Sequence, residues 1–235
     1  PTSYTTVGST ITAVTDKASN FTITVGGTPT TGTTLNSLAT GTFDGNENLT
    51  STGTGPYADS GNHYAVGIFQ WASTTSTRDS FWSADAGTTY AISSSDSSNG
   101  WPGEIDYDGS NQISFGKAKQ DFTVSVSQNT WTIVSTSFNK TGNEIFGRIN
   151  GSQASAGDVY STSMSSVADF RLMRNRASVE LAGKAAEFFW VAGPTGTGGT
   201  DISNVEKAEG YIAWKWGLQG NLPVSHPYKK AAPTT

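Results

Sequence analysis

The stretch Ile202-Ser203-Asn204-Val205-Glu206-Lys207-Ala208-Glu209-Gly210-Tyr211-Ile212-Ala213-Trp214-Lys215-Trp216-Gly217-Leu218, continued by Leu222-Pro223 and His226-Pro227-Tyr228-Lys229, decides how this chain is read. Val205, Ala208, Ile212 and Trp216 recur at helical spacing, with Tyr211 and Leu218 flanking that stripe. Ser203 followed by Glu206 is a capping-box pattern and predicts that a helix begins there. Gly217 and Gly220 are stop signals, and Pro223 prevents a return to helix. The spacing therefore predicts one helix over 202–217 and a proline-punctuated tail over 218–235. No other stretch reads convincingly as helix. A lone helix with this much aromatic bulk must cover a surface that strands leave open, so Tyr211 and Trp216 are both predicted to be buried.

Working outward, the remainder reads as β-strand. Residues 1–20 are rich in Thr and Ser and read as an extended arm or a first edge strand. Residues 21–25 alternate strictly and are closed by Gly26-Gly27. Residues 35–43 read as one strand ending at Asp44-Gly45. Residues 64–71 form a nearly continuous apolar run, which predicts a central strand covered on both faces. Asp108-Gly109 and Asn150-Gly151 are the strongest hairpin signals. Residues 122–126, 131–138 and 144–149 predict a meander with Phe122, Val124, Val126, Trp131 and Ile133 on its inner face. Residues 170–173 and 188–191 supply the last strands. There is no internal repeat and no composition shift that marks a boundary. The expectation is a single domain over 1–235: an all-β, two-sheet antiparallel jelly-roll sandwich with one C-terminal α-helix.

Composition narrows the function classes. Hydrophobic residues make up 34% of the 235 positions but include 7 Trp, 11 Phe and 8 Tyr, enough bulk for a core built from few residues. Charged residues are only 14%, with Ser, Thr and Gly filling the rest, a profile of turn-rich extracellular or virion β-proteins. The net charge of −5 argues against nucleic-acid binding, which wants a basic stripe. The absence of cysteine excludes disulfides and thiolate chemistry. No apolar run approaches membrane-span length, so membrane insertion is not expected.

The C-terminal residues also carry a resemblance. Glu209 to Leu218, Leu222-Pro223 and His226-Pro227-Tyr228-Lys229 resemble the C-terminal signature of concanavalin A-like, laminin-G-like domains found in phage and marine viral structural proteins and some bacterial surface proteins. Asp16-Lys17-Ala18-Ser19-Asn20 is similar to that family's early DKSGN turn. Leu35-Asn36-Ser37-Leu38 with Phe43-Asp44-Gly45 is similar to its LNGL…FDG segment, and Asn150-Gly151 and Ala186-Glu187-Phe188 sit where its late strands do. The resemblance implies the same sandwich fold. It also implies a non-enzymatic structural protein at the surface of a tailed-phage virion, a capsid or tail decoration or fibre domain. Its implied partners are neighbouring capsid or tail proteins, in an oligomer or larger assembly, and host-surface glycans. A bacterial surface glycan-binding adhesin is the alternative of the same kind.

One stretch offers a catalytic alternative. Trp101-Pro102-Gly103-Glu104-Ile105-Asp106-Tyr107-Asp108 resembles the active-site strand of laminarinase-type retaining glucanases, which share the fold. Strand alternation puts Glu104, Asp106 and Asp108 on one face, about 7 Å between alternate positions. A retaining glycosidase needs two carboxyls roughly 5–5.5 Å apart. Glu104 would be the nucleophile and Asp108 the acid, but an Asp there retracts the carboxyl by a methylene. A polar strand face next to a hairpin accounts for the same residues. For sugar binding without catalysis, Trp101, held between Gly100 and Pro102-Gly103, is the candidate platform, with Glu104, Asp106 and Tyr107 beside it.

Other chemistry is thinly represented. His63 and His226 are the only histidines, and the expectation for each is a structural hydrogen-bonder. The loop over 194–199 lacks the lysine of a phosphate loop. No cofactor is expected. Ca²⁺ is possible by the resemblance, with Asp85, Asp96, Asp106, Asp108 and Asp158 as candidates that no spacing singles out. Glycosylation sequons start at Asn20, Asn48, Asn139 and Asn150.

Overall fold

The computed structural model describes residues 4–17, 22–52, 63–73, 79–85, 105–107, 112–115, 124–139, 144–153, 158–159, 169–174, 180–192 and 202–234. In chain order its strands are β1 (Tyr4–Val7), β2 (Thr10–Thr15), β3 (Thr22–Gly26), β4 (Thr30–Leu35), β5 (Leu38–Asp44), β6 (Asn48–Thr52), β7 (His63–Ser73), β8 (Asp79–Asp85) and β9 (Ile105–Tyr107). There follow β10 (Gln112–Phe115), β11 (Val124–Ser125), β12 (Thr132–Asn139), β13 (Glu144–Ile149), β14 (Ser152–Gln153), β15 (Asp158–Val159), β16 (Asp169–Leu172) and β17 (Ala182–Ala192). Helix α1 (Ser203–Lys215) and a 3-10 turn (Gln219–Asn221) end the series.

Every strand pair is antiparallel. One layer runs β13–β12–β7–β17–β5–β4. The other runs β11–β10–β9–β8–β16–β6–β3–β2–β1. The two are stitched where Thr10 of β2 lies opposite Thr30 of β4. The fold is thus an all-β sandwich with a C-terminal helix.

Aromatic side chains fill the space between the layers. Phe69 of β7 stacks on Phe81 of β8 at 4.9 Å between ring centroids. Trp82 lies 5.5 Å from Phe188 and 5.4 Å from Trp190 of β17. A register shift between Ser80 and Trp82 explains how two consecutive residues, Phe81 and Trp82, both enter this core. Phe43, Ala65, Trp71, Val134, Ile149, Met173 and Leu181 complete it.

β7 is covered on both faces, as its unbroken apolar run predicts. Ala65, Phe69 and Trp71 face the sandwich core, while Val66 and Ile68 face α1. The helix therefore lies on the outer face of the β12–β7–β17 sheet, making a third layer. Its buried positions are Val205, Ala208, Glu209, Gly210, Ile212, Ala213 and Trp216. The helix ends in a Schellman motif: Leu218 N–H bonds Ala213 O at 2.8 Å, Gly217 N–H reaches Trp214 O at 3.4 Å, and Gly217 has φ 73°.

Several expectations are corrected. Residues 35–43 are two strands, not one: Asn36 (φ 49°) and Ser37 (φ 62°) form a left-handed two-residue turn between β4 and β5. Of the two expectations for residues 1–20, the described residues 4–17 show the edge strand: they form the β1–β2 hairpin, with β1 on the edge and Ile11 buried. The meander is split between layers, since β11 pairs with β10 and β12 with β7 and β13. Val126 packs on the inter-layer core, but Ile133 and Trp131 pack under the helix. The helix has Ile202 at its N-cap, one residue before the expected Ser203, with no side-chain cap hydrogen bond from that position; the Glu206 carboxylate lies 3.5 Å from Arg148. Trp216 is buried, but Tyr211 is 48% exposed.

Candidate functional site

The proposed sugar strand is β9, an inner strand of the second layer between β8 and β10. Register places Asp106 in one row with Ser80 and Ser114, and Tyr107 in one row with Asp79 and Ile113. β9 and β10 pair antiparallel; the expected turn residues between them, Asp108 and Gly109, lie outside the described residues. Trp101, Glu104 and Asp108 themselves lie outside the described residues, and so does Asp96. Asp85 and Asp158 are strand residues of β8 and β15. Among the described residues no three His, Cys, Asp or Glu converge to hold a metal ion. Asn48 and Asn150 are committed to the fold. Asn48 is buried and its Oδ1 accepts from Thr50 at 3.0 Å, while Asn150 Oδ1 accepts the Ile133 N–H at 3.0 Å.

Among the described residues, one dense polar constellation was passed over by the sequence reading. Glu209 sits on the buried stripe of α1, fully enclosed. Its carboxylate accepts from Ser135 Oγ of β12, from Arg148 Nε at 2.9 Å and Nη2 at 3.1 Å, and from His226 at 3.1 Å. Arg148 Nη2 also donates to Gly151 O at 2.6 Å. Burial alone would raise the Glu209 pKa; the His226 hydrogen bond, the Arg148 charge and the Ser135 hydroxyl outweigh it and hold the carboxyl below its usual value. Ser, His and carboxylate do meet here, yet Ser135 bonds the carboxylate and not His226, which is not the hydroxyl–imidazole–carboxylate order of a catalytic triad. The group ties together a helix, a sheet, a hairpin and the tail. A charged residue at 209, on the stripe 205–208–212–216, is the signal that would have exposed it: a buried carboxylate demands a partner.

The rest of the C-terminal signature serves the same closure. A Cβ at Gly210 would lie 2.5 Å from Tyr228 Cβ, so only glycine lets the tail cross the helix there. Trp214 Nε1 donates to Tyr228 O at 2.8 Å, and Lys229 Nζ donates to the Gln219 and Gly220 carbonyls at 3.0 and 2.6 Å. A Cβ at Gly151, the tip of the β13–β14 hairpin, would meet His226 Cδ2 at 2.7 Å.

The outward side of α1 has a different character. Tyr211 meets Phe189 of β17 at 6.5 Å between centroids, and Lys215 Nζ lies 5.5 Å over its ring. Lys215 Nζ pairs with Glu187 Oε1 at 2.7 Å, and Glu187 Oε2 accepts the Trp216 indole N–H at 2.6 Å. Burial lowers the affinity of Lys215 for its proton, but Glu187 more than compensates and the pKa is raised. A register shift in β17 between Ala185 and Glu187 brings Glu187 opposite Ile68, on the helix side of the sheet.

No family model matches this chain, and no curated protein matches it. Solved structures share its fold at low identity. Domain 4 of AbnA, a GH43 extracellular arabinanase from Geobacillus stearothermophilus solved with arabinotriose, is 17% identical with a TM-score of 0.56, covering 80% of this chain and 91% of that one. A botulinum neurotoxin type C structure, described as entering cells through interaction with two ganglioside molecules, is 13% identical with a TM-score of 0.54 and covers 89% and 51%. Trypanosoma rangeli sialidase is 11% identical with a TM-score of 0.58 and covers 80% and 29%. The chain thus spans nearly all of the arabinanase domain, but half of the toxin chain and under a third of the sialidase.

Proposed function

We propose that this chain is a non-enzymatic glycan-binding sandwich module. The observation that carries the reading is its likeness in fold to the arabinanase domain, which was captured with arabinotriose and is matched over 91% of its length. The toxin likeness, with its gangliosides, points to the same ligand class. The finer part of the proposal is a virion: a decoration or fibre domain on the capsid or tail of a tailed phage, bound to neighbouring structural subunits. It is supported by the resemblance of the stretch from Glu209 to Lys229 to viral concanavalin A-like domains. In this fold the stretch packs the helix and tail onto the sheet.

A glycan array probed with the purified chain tests the first part; no signal above background on any glycan overturns it. Reducing-sugar release from laminarin, lost in Glu104→Gln, would replace the binding module with a glucanase. Mass spectrometry of purified phage particles tests the virion assignment, which predicts a fixed copy number relative to the major capsid protein.

A further inference from the structure

We propose that the stripe Lys207–Tyr211–Lys215 of α1, exposed at Lys207 and Tyr211 and part-buried at Lys215, is a subsite for a carboxylate-bearing oligosaccharide, a proposal that rests on the glycan-binding reading above. The three residues are spaced four apart, so they line one side of the helix, one turn between neighbours. Tyr211 is the one aromatic among the exposed large hydrophobic residues of the described chain. Its ring does not dangle: Phe189 holds one edge and Lys215 lies over it, while nearly half of the residue stays open. A fixed aromatic ring on a half-exposed residue, with Lys215 over the ring, suits the apolar C–H side of a sugar ring that also carries a hydrogen-bonding edge.

The charges around the ring choose the sugar. Lys215 is held by Glu187, and Glu187 by Trp216, so that ion pair is close to neutral and rigid. Lys207 is exposed one turn towards the helix start. Among the described residues at that end of the helix, the exposed side's other acid, Glu206, points to buried Arg148. The stripe therefore presents a net positive charge on a chain whose overall charge is −5. A sialic or uronic acid can stack on Tyr211 and set its carboxylate against Lys207, with hydroxyls towards the Glu187–Lys215 pair. A neutral sugar has no use for Lys207. The Asn36–Ser37 turn closes the far end, where Asn36 Nδ2 donates to Lys215 O at 2.9 Å and Ser37 is exposed.

Saturation-transfer NMR and calorimetry with 3′-sialyllactose and with lactose read this directly. The wild type should bind 3′-sialyllactose at least about tenfold more tightly than lactose, and the difference should shrink as salt is raised. Lys207→Ala should remove that preference, Tyr211→Ala should weaken binding of 3′-sialyllactose about tenfold, and Tyr211→Phe should leave it near wild type. Lys207 and Tyr211 are exposed, so thermal melting should be little changed in all three variants. Equal affinity for the two sugars overturns the acidic specificity. Unchanged binding in Tyr211→Ala overturns the subsite while leaving the glycan reading intact, and loss in Trp101→Ala would then place the sugar at the β9 side. A wild type that binds no glycan on the array removes the parent reading and the subsite with it.

Discussion

The backbone N–H of Tyr228 donates to Nδ1 of His226 at 3.2 Å. That nitrogen must therefore be bare, and in the neutral ring the proton sits on Nε2 and is donated to Glu209, 3.1 Å away. A single tail residue thus orients the imidazole that closes the last side of a buried carboxylate. The arrangement makes the tail part of the sandwich's third layer.

Removing the carboxylate exposes the cost of this design. Glu209→Ala leaves Arg148 charged and enclosed without its partner, and should destabilise by about 3–5 kcal/mol in urea or guanidinium titration. The pH dependence has a definite sign. Because the folded Glu209 pKa is held below the usual value of 4.5, its contribution is present above that pH and is lost as pH falls through the lower folded value. Glu209→Gln should therefore flatten the acid side of the stability profile. An unchanged acid limb would show that other carboxylates govern it.

Gly210→Ala reverses the rule for exposed helices. In an open helix this change stabilises by about 1 kcal/mol. Here the added methyl overlaps Tyr228, so a loss of about 1–3 kcal/mol is expected. A gain in melting temperature would mean that the tail yields freely.

Two aromatics on one helix should behave oppositely. Trp216→Ala opens a cavity between α1 and β7 and should cost about 3–5 kcal/mol. Tyr211→Ala, on the exposed side, should cost under about 1 kcal/mol. Similar losses for both would contradict the orientation of the helix described above.

The Asn36–Ser37 turn offers a stabilising change. Both residues carry positive φ, and the second position of such a turn favours glycine. Ser37→Gly should relieve the left-handed penalty and stabilise by roughly 1 kcal/mol, read as a shift in denaturant midpoint with unchanged slope.

Elements defined by local pattern were legible in the sequence alone. The helix over 202–217 and its glycine stop, the central strand through Tyr64 and Trp71, and the Asn150-Gly151 hairpin all follow from periodicity and backbone preference, which are properties of neighbouring residues. The turn at Asn36-Ser37 was missed because Thr, Leu and Ala on either side carry no break in pattern, and only the left-handed angles reveal it. Partnership across the chain was decided by tertiary structure. Nothing local tells that Glu209 of the helix will meet Arg148 sixty-one positions earlier, that Gly210 is needed by Tyr228, or that a shift in β17 brings Glu187 under Trp216. Nor does an amphipathic stripe tell which of its flanking aromatics stays outside: Tyr211 was expected to be buried with Trp216. The flat outer face of β7 and β12 admits only the stripe centred on Ile212 and Trp216, and leaves Tyr211 at the rim.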